Sequence, residues 1–168
     1  MNKLYKFLRK GLKSDSGDCT WKIGKWKKES KVSLCNAGFH ASKTPSQAFS
    51  YVQGEILAEV EVRGKSDVQE DKECWSEMRI VKAHKWQKKD SVALSIYAAE
   101  LCIENYEKVY PNDDRPRKAI EAAKAWLLSP TKKNESAARS ARSAERKTIT
   151  SKISKWFLAR VKELEPYE

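Results

Sequence analysis

Residues Asp90–Leu128, DSVALSIYAAELCIENYEKVYPNDDRPRKAIEAAKAWLL, read as a helical hairpin, and that reading divides the chain into a first half and a helical second half. Val92, Ile96, Ala99, Ile103, Tyr106 and Tyr110 advance in steps of four and three, which draws one apolar stripe down a helix. Leu94, Tyr97 and Leu101 widen the stripe, so this first arm is expected to be largely buried. Pro111 stops it, because its ring clashes with the preceding turn and it has no N–H to donate. Asn112, Asp113 or Asp114 then caps a second arm, accepting the orphan first-turn N–H groups, and Pro116 falls where a missing N–H costs little. Ile120, Ala123, Trp126 and Leu127 supply the inner face of this arm, and Ser129-Pro130 ends it. Asp113, Asp114, Arg115 and Arg117 form a charged hinge, read as architecture that fixes the turn.

Ahead of the hairpin the pattern changes to strands. Leu4–Leu8 alternates around Tyr5 and Phe7, with Gly11 closing the run. In CTWKIGKWKKESKVSLC, residues 19–35, Trp21, Ile23 and Trp26 alternate with lysines, which suggests a hairpin or a lysine-guarded edge strand. Thr44 and Pro45 make an N-cap and first-turn pair, predicting a short helix over 45–52. Ile56, Ala58, Val60 and Val62 face one way along Glu55–Arg63, a clear strand, and Arg63-Gly64-Lys65 turns it. Residues 66–76 are polar and read as a loop, and Met78–Trp86 reads as a second strand. The expected architecture is α+β: a small antiparallel β domain with one short helix over 1–88, then a C-terminal helical bundle over 89–168.

The sequence carries 34 Lys and Arg against 23 Asp and Glu, a net charge of +11. Residues 1–31 contribute +7 and residues 131–162 contribute +8, which leaves the remaining residues at −4. Basic ends around a mildly acidic middle point to a polyanion or an acidic protein surface as partner. The candidate surface comprises Lys22, Lys25, Trp26, Lys27 and Lys28 at one end, and Arg139, Arg142, Arg146, Lys147, Lys152 and Lys155 at the other. Arg139, Arg142 and Arg146 share one face of a helix, and Ile149, Ile153, Trp156, Phe157, Val161 and Leu164 stripe the last one. Interleaved Trp and Lys near residue 26 would also suit single-stranded nucleic acid, rings stacking bases and ammoniums meeting phosphates, while the plainer reading is a solvated edge with buried tryptophans.

Cys19, Cys35, Cys74 and Cys102 are scattered without a CxxC pair, and two histidines stand at no ligand spacing, so neither a metal nor a disulfide framework is expected. No cofactor loop of the GxGxxG or Walker type is present. The N-terminus has no apolar core of signal length and no run of eighteen apolar residues occurs, so a soluble cytoplasmic protein is expected, with no membrane partner.

Two family resemblances sharpen these expectations. Tyr110–Ala123, YPNDDRPRKAIEAA, following a helix that ends in an aromatic-acidic run, resembles the immunity-protein family of bacterial toxin–immunity and mobile-element loci. That resemblance implies a helical domain with a binding role and assigns no catalytic residue. The opening Tyr-Lys-Phe strand, the Gly38–Ser42 segment GFHAS, a helix ending at Tyr51 and the EILAEVEV strand resemble an uncharacterised domain of phage and prophage proteins over roughly residues 4–86. Together they imply a non-enzymatic inhibitor of the immunity or phage anti-defence (anti-CRISPR-like) kind in a bacterial host, with a toxin or host defence nuclease as protein partner. DNA or RNA is the alternative partner. A minor resemblance to ADP-ribosyltransferase-type folds would use His40, Ser42, Tyr51 and one of Glu55, Glu59 or Glu61, the carboxylate activating a nucleophile. Against it, His40 reads more simply as a turn residue or a half-buried one bonding a backbone group.

Overall fold

The computed structural model describes residues 3–16, 18–130 and 150–167. The chain is α+β, with nine described elements: β1 (Leu4–Leu8), β2 (Lys27–Lys28), β3 (Phe39–Ala41), α1 (Pro45–Tyr51), β4 (Ile56–Val68), β5 (Glu73–Lys85), α2 (Lys88–Val109), α3 (Arg115–Leu128) and α4 (Thr150–Val161). They fall into two compact units, one comprising residues 1–86 with 157–168 and the other residues 87–156. A single division near residue 88 therefore misses the last twelve residues, which rejoin the β unit.

The β unit is an antiparallel sheet in the order β1-β4-β5-β2, with β3 also on β5. Period 2 places Leu4 and Leu8 on one side of β1, where they join Trp21, Ile56, Val60, Met78 and Ile80 in a core. The opposite side is equally dry. Phe7 meets Phe49 of α1 at 5.1 Å and Trp86 at 5.6 Å, and Phe157 stacks on Trp86 at 4.8 Å. The one-residue neighbours of the terminal helix explain the split between units: Phe157 is 0% exposed among these rings, while Trp156 stacks on Tyr97 of α2 at 5.7 Å.

The outer edge of β5 is covered piecewise. β3 pairs with it at Cys74, β2 at Met78, and the Gly24 N–H donates to the Ile80 carbonyl. At its end the Tyr167 N–H donates to the Ala83 carbonyl, so the C-terminal residues complete the edge. Such cover hides backbone groups that would otherwise template pairing with another chain. A bridge between Tyr5 and Ser42 also brings the end of β3 back to β1. Gly54 passes so close to β1 that a Cβ there would stand 2.3 Å from the Leu8 carbonyl oxygen.

Three expectations need correction. The segment around Trp21 and Trp26 is strand at Lys27–Lys28 and elsewhere meets its neighbours through single backbone bonds, because Gly24, at φ +77°, breaks the extended run; Trp21 is buried, as the plainer reading has it. The 66–76 loop is mostly strand: β4 continues past Gly64 to Val68 and β5 starts at Glu73, the irregularity between Arg63 and Ser66 absorbing the expected turn. The first arm of the hairpin is half-buried rather than largely buried, with Ile96 and Ile103 the apolar residues that are sealed.

Those two isoleucines pack with Ile120 and Ala123 of α3, as the apolar spacing predicts. α1 also forms as expected, capped by Thr44, whose hydroxyl accepts from the Gln47 N–H. Among the described residues no helix is long and apolar enough to cross a membrane.

Candidate functional site

Two surfaces of the β unit gather chemically distinctive side chains. The first is the segment 22–28 that leads into β2. Lys22 and Lys25 are exposed, as is Ile23 between them at 44%. Lys27 lies over the Trp21 ring at 5.8 Å, and Lys28 reaches Glu77 at 3.5 Å. Trp26 is neither buried nor free. Its ring carries the Arg63 guanidinium at 4.0 Å and that of Arg79 at 5.0 Å, a cation–π arrangement set up by neighbouring strand positions. Arg63 is in turn held by Glu77 at 2.8 Å, and Arg79 by Glu61 at 2.7 Å. Arg63 also holds the Glu77 carboxyl below its ordinary range.

The second surface is a cleft of about 820 Å³ reaching from β1 to the rim at Tyr51 and Lys72. A connected set of contacts crosses it. Lys6 Nζ donates to the His40 carbonyl at 3.0 Å, the Cys35 N–H donates to His40 Nε2 at 3.0 Å, and Lys72 Nζ donates to Cys35 Sγ at 2.7 Å. Lys72 also stands 4.8 Å above the Tyr51 ring, and the Tyr51 hydroxyl donates to Asp71. That carboxylate pushes the Tyr51 phenol up to about 12. Burial, reinforced by Lys6 and Lys72, pushes His40 below its ordinary value, so the ring is neutral, with its Nε2 lone pair accepting and its proton on Nδ1. This is the backbone-bonding role read from the sequence. Burial likewise lowers the Lys6 ammonium.

The transferase constellation does not assemble. His40, Ser42 and Tyr51 line the cleft, but none of Glu55, Glu59 and Glu61 does. Glu55 accepts from the Lys10 N–H at 2.8 Å, Glu59 pairs with Lys3 at 2.8 Å, and Glu61 holds Arg79. Ser42 is buried and its backbone is bridged to Tyr5.

In the helical unit the hinge side chains engage one another. Arg115 pairs with Asp113 at 2.7 Å, Arg117 with Glu107 at 2.6 Å, and the Tyr106 hydroxyl donates to Asp113 at 2.8 Å. Asp114 occupies the cap position of α3 without a side-chain cap bond, while Asp113 accepts from the Arg115 N–H. Lys152 and Lys155 are exposed on α4. Arg139, Arg142, Arg146 and Lys147 lie outside the described residues. Among the described residues no group of three His, Cys, Asp or Glu side chains could hold a metal ion.

The sequence reading passed over Lys6, Cys35 and Lys72. A signal for the first was present, since alternation along β1 puts Lys6 on the same side as Leu4 and Leu8. The others meet only through the pairing of β3 with β5, which no local pattern announces.

The family model of a domain of unknown function (DUF7666) matches residues 2–90. No curated protein and no solved structure matches the chain.

Proposed function

The chain belongs to the DUF7666 family of domains of unknown function, and from that premise we propose that it acts by binding rather than catalysis. It is a stoichiometric inhibitor of the immunity or phage anti-defence kind, docking on a toxin or defence nuclease in the cytoplasm of a bacterial host. The observation that carries this reading is the surface at residues 22–28. Exposed Lys22 and Lys25 flank an exposed Ile23, which gives an apolar contact ringed by ammoniums and fits an acidic protein face. Trp26 favours a protein over single-stranded nucleic acid as partner, because Arg63 and Arg79 already engage the ring that bases would stack on.

Pull-down from a bacterial lysate with and without nuclease treatment tests the reading. A protein retained after nuclease treatment and lost from a Lys22→Glu/Lys25→Glu/Lys27→Glu variant supports it. Capture that vanishes with nuclease, together with a DNA or RNA complex in gel shifts at ~150 mM salt, overturns it in favour of a nucleic-acid accessory protein. Reversing Arg139, Arg142 and Arg146 to Glu asks separately whether the second basic region belongs to the docking surface; unchanged capture removes that region from it.

A further inference from the structure

Lys6 is out of place for a solvated lysine. It projects from the same side of β1 as Leu4 and Leu8, which are 2% and 0% exposed, and it is itself half-buried. Removing an ammonium from water is costly unless its N–H groups find acceptors. Among the described hydrogen bonds, Lys6 Nζ has one, to the His40 carbonyl, whereas an ammonium carries three donors. Methionine or leucine would fill the position without that cost. The side chain opens onto the 820 Å³ cleft, a volume within the range of small-molecule sites.

Basic groups outnumber acidic ones along the cleft. Lys31 and Lys72 join Lys6 in lining it. Of the lining acids, Asp15 is already bound by Arg9 at 2.6 Å and Glu29 accepts from the next residue's N–H at 2.9 Å. Among the described contacts Lys72 Nζ meets the Cys35 thiol and the Tyr51 ring, both weak partners for an ammonium, while the carboxylate of the preceding Asp71 is taken by the Tyr51 hydroxyl. Among the described residues no arginine lines the cleft, so its lysines would meet an anion as point charges, in the way a lysine binds phosphate. Tyr51 is 47% exposed at the rim and carries Lys72 over its ring at 4.8 Å, so a ligand that draws Lys72 onto its phosphate bares that ring.

We propose that this cleft is a binding site for a small phosphorylated ligand of mononucleotide size, with Lys6 and Lys72 on the phosphate and Tyr51 against the ring. The site is separate from the docking surface at residues 22–28 and stands or falls independently of it.

Backbone amide NMR of the full chain, titrated in parallel with adenosine 5′-monophosphate, adenosine and inorganic phosphate, tests the proposal. The monophosphate is expected to give saturable shifts clustered at residues 33–42 and 71–74, with inorganic phosphate competing and adenosine at least ~10-fold weaker. Lys72→Gln, a change at the rim, should weaken the monophosphate by about tenfold, and Lys6→Met by at least as much. Should Lys6→Met fail to fold, Lys72→Gln decides. Equal responses to adenosine and its monophosphate, shifts centred on residues 22–28, affinity undiminished in Lys72→Gln, or no saturable response up to ~10 mM ligand each overturn the assignment.

Discussion

β1 is dry on both sides, with Leu4 and Leu8 against one core and Phe7 within the ring cluster of Phe49, Trp86 and Phe157. The α2–α3 hairpin packs Ile96, Ile103, Ile120 and Ala123 along one seam and is laced outside by Arg115–Asp113, Arg117–Glu107 and Lys124–Glu100. Burial is worth roughly 1.5–3 kcal/mol for a large apolar side chain, whereas exposed ion pairs contribute about 0–1 kcal/mol and are screened by salt. The two units should therefore differ in how they yield: the β unit to loss of volume, the hairpin to acid and salt. Adjacent residues of α4 allow the contrast to be tested within one helix.

Phe157→Ala should have the largest effect. It removes a fully buried ring from a four-aromatic cluster, and such truncations cost about 3–5 kcal/mol. Trp156→Ala, one residue earlier, removes a half-buried ring stacked on Tyr97, so its cost should stay near ~1–2 kcal/mol and fall on the helical unit. Urea unfolding measures both. Equal losses would mean that the terminal helix does not divide its two aromatics between the units. Ile120→Ala is expected at the lower end of ~2–5 kcal/mol, since its seam neighbours Val92, Ala99 and Leu127 are already partly wet. Amide exchange should then quicken in α2 and α3 while β4 and β5 keep their protection.

The parts of this fold legible in the sequence are those set by local chemistry. Thr44-Pro45 starts α1, Pro111 and Pro116 bracket the hinge, and the spacing of Ile96, Ile103, Ile120 and Ala123 marks the seam. What stayed illegible depends on pairing between distant segments. Ser66, Asp67 and Val68 look like loop because they are polar or exposed, and they become strand only because Glu73, Cys74 and Trp75 lie opposite. That Trp21 is buried, at 2% exposed, could be read from the sequence, but its core partner could not: Phe39, at 5.1 Å, is brought to it by the closing of β3 onto β5. The basic segment at residues 22–28 could be read from composition alone. The cleft could not, since Lys6, Cys35 and Lys72 are brought together only by the sheet.

Acid weighs more on the hairpin, where two carboxylates, Asp113 and Glu107, are held below their ordinary values, than on the β4–β5 pair, where Glu77 is. Arg115 and the Tyr106 hydroxyl hold the Asp113 carboxyl well below its ordinary value, and Arg117 does the same to Glu107. For a carboxylate depressed in the folded state, the stabilisation is fully present above the unfolded value, near 4, and is lost as pH falls through the lower folded value. Amide protection in α2 and α3 should thus decline, relative to β4 and β5, as pH drops below about 4. Asp113→Asn should flatten that decline. A decline of equal size in β4 and β5 would show that these pairs are not what sets the hairpin's acid response.

Charge reversal at the exposed lysines should move stability least, within about 0.5 kcal/mol, because such surface positions hold neither volume nor a buried partner. Its value lies in assigning function to one unit or the other. Lys22 and Lys25 belong to the β unit and Lys152 and Lys155 to the helical unit, and all four are exposed. With the protein captured from bacterial lysate as the probe, Lys22→Glu/Lys25→Glu should abolish capture, since it places two carboxylates around the Ile23 contact where the partner presents its own. Lys152→Glu/Lys155→Glu should leave most capture intact, because those lysines belong to the other unit. Rising salt should weaken the wild type towards the first variant, as screening removes the long-range attraction and leaves the apolar contact. If instead the helical pair abolishes capture and the β pair does not, docking belongs to the helical unit, and residues 22–28 are merely the lysine-guarded edge of a sheet.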